Sequence, residues 1–192
     1  MAVHIVYIFD ERYSIYSSIS AISAIKFAKE KLIFHCIGPK DSETGLDKFY
    51  DELSAHGQEV HLHSCDTNHG SFKALRGQKA NHLKYLIPEV IEEKKALYVD
   101  GDTLFQNCPS EIFNIDLTEK SVAGVCDYSH LPSKQKNWPT KIRFSSKEEV
   151  YINSGMMLLN LERIRNMNIT QKALEINEAL GSKVVFADQD IL

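Results

Sequence analysis

An α/β fold with a largely parallel central sheet is predicted by three features of the chain. Short unbroken apolar runs, at residues 3–9, 32–37 and 96–99, have the length and composition of strands buried on both faces. Segments with apolar residues at helical spacing lie between them. Strands alternating with helices through right-handed crossovers make a Rossmann-like fold with a mixed, mostly parallel central sheet flanked by helices. At 192 residues, with no internal repeat, low-complexity tract or linker, the chain reads as a single domain spanning 1–192.

Taken in order, the first strand (3–9) ends at Asp10, Glu11, Arg12 and Tyr13. Ser14 can cap the next helix, where Ile15, Ile19, Ile22 and Ile25 keep helical spacing and are expected to face the sheet. Residues 32–37 form a second strand closed by Gly38-Pro39, and 41–56 a more polar helix ended by Gly57. Residues 59–63 alternate as a third strand, which puts His61 and His63 on one face. That spacing can bind metal. With no cysteine or carboxylate evidently joined to them, the two are read as a surface or half-buried pair. A helical pattern over 78–93 must be kinked, or its first part ended, at Pro88. The strand at 96–99 follows, then a short helical turn at 109–113 and a strand over 121–127. Residues 128–149 are polar, without clear periodicity, and carry Lys134, Lys136, Lys141, Arg143 and Lys147. An apolar run over 150–161 is broken by Asn153-Ser154-Gly155, which alone would read as a turn. Helical stretches at 162–165 and 170–180 precede Asp188-Gln189-Asp190.

A net charge of −4 gives no overall attraction to nucleic acid. The N-terminus lacks the basic region and small-residue cleavage site of a signal peptide, and no apolar run is long enough to span a bilayer. The four cysteines are scattered, with no CxxC spacing, and are read as reduced thiols. These features predict a cytoplasmic soluble protein.

The chemistry is expected where residues 96–99 run into Asp100-Gly101-Asp102. Buried parallel sheets bind ligands at the carboxyl ends of their strands. Two carboxylates at i and i+2 can converge there on one divalent cation, and glycine between them permits a tight turn and a close approach. No GxGxxG follows the first strand, so a bound diphosphate would need another partner. A cation on paired aspartates is such a partner, neutralising the charge of a leaving diphosphate as a Lewis acid.

Three stretches in order carry a resemblance. They are Leu97-Tyr98-Val99-Asp100-Gly101-Asp102-Thr103-Leu104, then Tyr151-Ile152-Asn153-Ser154-Gly155-Met156-Met157-Leu158-Leu159-Asn160-Leu161, then Asp188-Gln189-Asp190-Ile191-Leu192. Together they resemble glycosyltransferase family 8, the retaining, metal-dependent enzymes that include glycogenin, galactinol synthases and bacterial lipopolysaccharide glucosyl- and galactosyltransferases. The resemblance runs from Val3 to the last residue. It implies a GT-A fold, a UDP-sugar donor (glucose or galactose), Mn²⁺ or Mg²⁺, and a glycan or lipopolysaccharide-type acceptor. Phe9, Asp10, Glu11 and Tyr13 match the segment that holds uracil and ribose. Asp10 or Glu11 would accept the uracil N3–H and Tyr13 would stack nearby. Asp100 and Asp102 match the metal ligands, with Gly101 where the main chain meets the ribose. Asn153, Ser154 and Gly155 match the motif beside the donor sugar. Asp188 would bind sugar hydroxyls, and Gln189 matches the residue nearest the anomeric carbon. The basic stretch 128–149 is read as a cover over the donor, a contact for an anionic acceptor, or a solvated loop.

Two departures from the family pattern stand out. Lys84, in Asn81-His82-Leu83-Lys84-Tyr85-Leu86-Ile87-Pro88-Glu89, takes the place of a donor-contacting arginine and keeps the charge without the planar fork. The family's His-Tyr-x-Gly-x-x-Lys-Pro-Trp motif, with its third metal ligand, has no match here. The expectation is therefore a chain truncated at its C-terminus, with any peripheral membrane contact in the missing part. The alternatives are a truncated, non-catalytic UDP-sugar-binding domain and, ranked lower, a haloacid-dehalogenase-type phosphatase. The phosphatase motif wants Asp-x-Asp-x-Thr, whereas Thr103 follows Asp102 directly.

Overall fold

A computed structural model of the chain describes residues 2–40, 43–65, 80–127, 151–180 and 187–190. Strands β1 (Val3–Ile8), β2 (Leu32–Pro39), β3 (Glu59–Cys65) and β4 (Lys95–Val99) are parallel neighbours in the order β3-β2-β1-β4. Strands β5 (Val122–Cys126) and β6 (Ile152–Asn160) complete a six-stranded mixed sheet, β6 antiparallel to β4 and β5 antiparallel to β6. The unbroken apolar runs lie at its centre: every residue of β2 is buried, as is all of β1 except half-buried His4.

Helices cover both faces, as two-sided burial of the strands requires. α1 (Ser14–Phe27) and α2 (Glu43–Ala55) pack on the face of Ile5, Tyr7, Phe34 and Leu97, and Phe49 fills the gap below Tyr7 and Phe9. α3 (Ile87–Val90) lies on the opposite face, with Ile87 and Ile91 against Val6, Tyr98 and Met157. The short α4 (Pro109–Phe113) closes the first face. On the second, α5 (Leu161–Asn166) adds Leu161 and Ile164, and α6 (Ile169–Leu180) follows it. Gly57, at φ +70°, closes α2 as expected. None of the described helices is long and apolar enough to cross a membrane.

Several local expectations are corrected. Ile15 and Ile19 do not face the sheet; they are 64% and 50% exposed. Ser17, Ser20, Ala21 and Ala24 face it instead, while Ile22 and Ile25 pack along its margin. The small side chains let α1 close on the strands, and the Tyr7 hydroxyl meets Ser20 Oγ at 2.9 Å. Ser14 does not cap α1, because Tyr13 holds that position without a side-chain bond and Ser14 Oγ donates back to the Glu11 carbonyl. Asp10 instead caps the 3-10 turn Glu11–Tyr13.

The helix expected over 78–93 is a 3-10 segment, Ala80–Leu86, followed by the one-turn α3; residues 78 and 79 lie outside the described residues. Pro88 sits in the first turn of α3, where its missing N–H leaves no bond unmade, so there is no kink; the first part ends at Leu86, as the second alternative expected, and a new helix begins. Asn153-Ser154-Gly155 form no turn. They lie within β6, opposite a register shift at Gly124/Val125. The basic stretch 128–149 lies outside the described residues, as do residues 41–42, 181–186 and 191–192.

Candidate functional site

Val6 pairs with Tyr98, so Asp10 and Asp100 leave the sheet at the same carboxyl edge. Asp100 follows β4, and its backbone N–H donates to the Gly155 carbonyl at 2.7 Å, which draws β6 across the aspartate turn. A Cβ on Gly155 would lie 2.9 Å from Asp100 Oδ2 and 2.9 Å from Asn153 Oδ1. Glycine is therefore needed for the carboxylate to sit where it does. The Tyr98 hydroxyl donates to Asp100 Oδ1 at 2.5 Å, and Thr103 Oγ1 donates to the Asp100 carbonyl at 2.8 Å. Asp102 projects from the turn, exposed. Gly101 is buried between them against α1, with its absent Cβ aimed at Ser17 Oγ.

Lys84 supplies a buried cation at the centre. Its Nζ lies 2.8 Å from Asp188 Oδ2 and 3.4 Å from Asp100 Oδ1, and it donates to the Ser154 carbonyl at 3.2 Å and to Ser154 Oγ at 3.4 Å. It also stands 4.7 Å from the centre of the Tyr98 ring. Burial and the neighbouring carboxylates push the Tyr98 phenol well above its ordinary range, so it stays protonated and donates.

Gln189 is pinned at both ends. Its Nε2 donates to Asp127 Oδ2 at 3.0 Å, and its Oε1 accepts from the Ser154 backbone N–H at 3.2 Å. The reverse amide orientation would set N–H against N–H and oxygen against carboxylate, so the placing of its oxygen is decided by its partners. Asn153 is exposed, with Oδ1 accepting from the Gly155 N–H at 2.8 Å.

At the end of β1 the geometry is mixed. Phe9 is a core residue, its ring 5.2 Å from that of Phe49 and its backbone N–H bonded to the Ile37 carbonyl at 3.2 Å, so its side chain is not open to a ligand. Both Asp10 oxygens are held by Arg12, Oδ1 by its backbone N–H and Oδ2 by its guanidinium at 2.7 Å. Glu11 is exposed, 3.5 Å from Lys48 Nζ, and the Tyr13 ring leans on Tyr16 at 5.7 Å. Lys84, Asp100, Ser154, Gly155, Asp188 and Gln189 thus form one connected group. The Asp10–Tyr13 segment stands beside it through α1, without a direct bond to it among those described.

Sequence reasoning did not single out Tyr98 or Asp127 as site residues. Tyr98 gives no such signal, because an aromatic in a buried run reads as core. Asp127 had a usable signal, since it ends the apolar stretch of β5 as Asp100 ends that of β4.

The donor set tests whether a divalent cation fits. Asp100 keeps Oδ2 beside the bare Gly155, Asp102 is exposed one residue on, and hard carboxylate oxygens suit Mg²⁺ or Mn²⁺. Among the described residues, no third histidine, cysteine or carboxylate closes on this pair within coordinating distance.

Comparison with known proteins gives a consistent picture. The family model described as Glycosyl transferase family 8 matches residues 4–192. A putative glycosyltransferase of Haemophilus influenzae is 26% identical over 193 residues, covering 98% of this chain and 58% of the relative. A lipopolysaccharide 1,2-glucosyltransferase of Escherichia coli is 25% identical, covering 95% of this chain and 55% of the relative. The chain thus spans a little over half the length of these two relatives. Among solved structures, an active-site mutant of LgtC superposes with a TM-score of 0.85 at 21% identity, covering 98% of this chain and 68% of that one. LgtC, a galactosyltransferase, in complex with donor and acceptor sugar analogs gives 0.81 at 19% identity, with 98% and 69% covered. At these identities the structural likeness establishes the fold, which is GT-A.

Proposed function

The chain belongs to glycosyltransferase family 8, and from that premise we propose that it moves a hexose, glucose or galactose, from a UDP-sugar to a hydroxyl of a glycan or lipopolysaccharide-type acceptor, with retention and with Mn²⁺ or Mg²⁺. The observation that carries this reading is the connected group at the sheet's carboxyl edge, in which Lys84 joins Asp100 to Asp188 while Ser154 holds Gln189. Asp100 and Asp102 hold the cation, which when bound neutralises charge on the leaving diphosphate. Asp10 or Glu11 takes the uracil, with Tyr13 nearby, and the main chain at Phe9 and Gly101 lines the nucleoside. Asn153, Ser154 and Gly155 border the donor sugar.

Lys84 holds Asp188 in place through Oδ2, which leaves the second Asp188 oxygen for a sugar hydroxyl. Gln189 faces the anomeric carbon. Its carbonyl oxygen spends one lone pair on Ser154 N–H and keeps the other to stabilise positive charge at the sugar. A neutral amide is poorly suited to forming a glycosyl ester, so attack from the leaving-group face is favoured. The acceptor oxygen bonds to the anomeric carbon as the carbon–phosphate-oxygen bond breaks, and the acceptor proton passes to the departing phosphate.

Titrating UDP by calorimetry with and without Mn²⁺ tests the site. The expected result is a gain in affinity of at least about tenfold with Mn²⁺, abolished by Asp100→Asn and by Asp102→Asn. Equal UDP affinity with and without metal in all three proteins overturns the assignment. Screening UDP-glucose, UDP-galactose and their N-acetyl forms for metal-dependent hydrolysis then identifies the donor.

A second reading, a non-catalytic UDP-sugar-binding domain, is favoured by one observation: the aspartate pair lacks a third ligand among the described residues. Metal-dependent UDP binding without turnover of any donor selects it. The phosphatase reading has no support beyond the Asp-x-Asp spacing, and the family match leaves it without ground.

A further inference from the structure

The opposite end of the sheet carries a second cluster of metal-ligating side chains. Register across β1, β2 and β3 aligns Val6 with His35 and His35 with His61, and places His63 one pleat further along. His4, His35, His61 and His63 therefore share the sheet face turned away from α1 and α2. The rings stack, with centroids 5.4 Å apart for His4–His35, 5.2 Å for His35–His61 and 5.6 Å for His35–His63. Glu93, on the segment entering β4, joins them because β4 lies next to β1. The five residues of β4 separate Glu93's end of the sheet from Asp100, about 16 Å at 3.3 Å per residue. The cluster is thus distinct from the donor site.

We propose that His4 Nδ1, His35 Nε2 and a Glu93 carboxylate oxygen form a binding site for a zinc-class divalent transition metal. The His4 and His35 nitrogens are 3.1 Å apart; His4 Nδ1 lies 3.6 Å from Glu93 Oε1, and His35 Nε2 lies 4.0 Å from Glu93 Oε2. Ligands about 2.0–2.1 Å from a tetrahedral zinc stand roughly 3.3 Å from one another, so the two nitrogens are already close to that spacing, and a small turn of the Glu93 carboxylate brings one oxygen to them. The fourth position is left to water.

The outer partners suit the assignment. His35 Nδ1 faces His63 Nε2 at 3.3 Å, so a proton on Nδ1 donates to His63 and leaves the Nε2 lone pair on the side of His4 Nδ1. His61 is committed elsewhere, 2.9 Å from Glu59, which Lys31 also holds. Two imidazoles and one carboxylate favour Zn²⁺ over the hard-oxygen cations expected at Asp100 and Asp102. The sequence reading of His61 and His63 as a surface or half-buried pair agrees with the structure, where His61 is exposed and His63 half-buried. It missed His4, His35 and Glu93 because they come from three other segments.

Zinc titration of the chelator-stripped chain tests the site, with Co²⁺ as a spectroscopic probe. An Asp100→Asn, Asp102→Asn double variant silences the other candidate cation site. In it, one equivalent of Zn²⁺ is expected to bind, and Co²⁺ to give the intense visible bands of a four-coordinate centre. His4→Ala and Glu93→Gln, chosen because both side chains are partly exposed while His35 is core, should each weaken zinc at least about tenfold. Their thermal unfolding in chelator establishes that they are folded. His61→Ala should bind as the parent does. Failure of the double variant to take up zinc overturns the proposal. So does uptake that His4→Ala and Glu93→Gln leave unchanged.

Discussion

Lys84 is the residue on which the candidate site depends most. A lysine 7% exposed is tolerated only with close partners for its ammonium, and Lys84 has Asp188, itself 3% exposed, at 2.8 Å. Removing one member of a buried pair strands the other, at a typical loss of about 3–5 kcal/mol. Lys84→Met is therefore expected to lower the unfolding free energy by roughly 3 kcal/mol, read from urea denaturation. Lys84→Arg should also destabilise, by about 1–3 kcal/mol, because a guanidinium overfills a pocket whose acceptors surround a point charge. Unchanged urea midpoints in both would show that the pair contributes nothing to stability. The lysine itself was visible in the sequence, but its partners were not. Ser154 is 70 positions away, and Asp188 further still, so only the folded sheet brings them to one cation.

At the scale of elements, the contact between α1 and the aspartate turn decides how firmly Asp100 and Asp102 are held. Sequence reasoning assigned Gly101 to a tight turn and to the approach of a ligand. In the fold α1 also approaches it, on the side of the missing Cβ: a Cβ at position 101 would lie 2.2 Å from Ser17 Oγ and 3.2 Å from Ser17 Cβ. The same closeness explains why serines and alanines, not isoleucines, face the sheet. Apolar spacing in the sequence identified the helix but misplaced its buried face, since isoleucine is more often core than exposed serine is expected to be buried. Gly101→Ala should destabilise by about 2 kcal/mol. Ser17→Ala should be neutral or mildly stabilising, because Ser17 Oγ is buried without a hydrogen-bond partner among the described residues. The double variant should lose less than the sum, with a coupling of at least about 0.5 kcal/mol between the sites. Strict additivity in a thermal or urea double-mutant cycle would mean that the helix does not press on the turn.

Across the whole molecule, the fold class was legible because strands buried on both faces must be apolar along their whole length, and β1, β2 and β4 are nearly so. The antiparallel placement of β6 between β4 and β5 was not, since nothing local in an apolar run records the direction of its neighbour. The strand order also sets a gradient of stability. β1 and β4 are bonded on both sides and almost wholly buried, and β2 is buried throughout, whereas β3 and β5 are edges of alternating or intermediate exposure. Amides that open only with global unfolding lie in such doubly bonded, buried strands, while edges open by smaller fluctuations. Native-state hydrogen exchange is therefore expected to give the slowest amides in β1, β2 and β4, with protection there tracking the global unfolding free energy as denaturant is raised. The amides of β3 and β5 should exchange faster and with a shallower denaturant dependence. The Asp100 N–H bonded to Gly155 should group with β4, so that the aspartate turn unfolds with the core rather than ahead of it. If that amide instead exchanged with the edge strands, the turn would be a locally opening loop, and the acidic pair would have to be organised by its ligand rather than by the sheet.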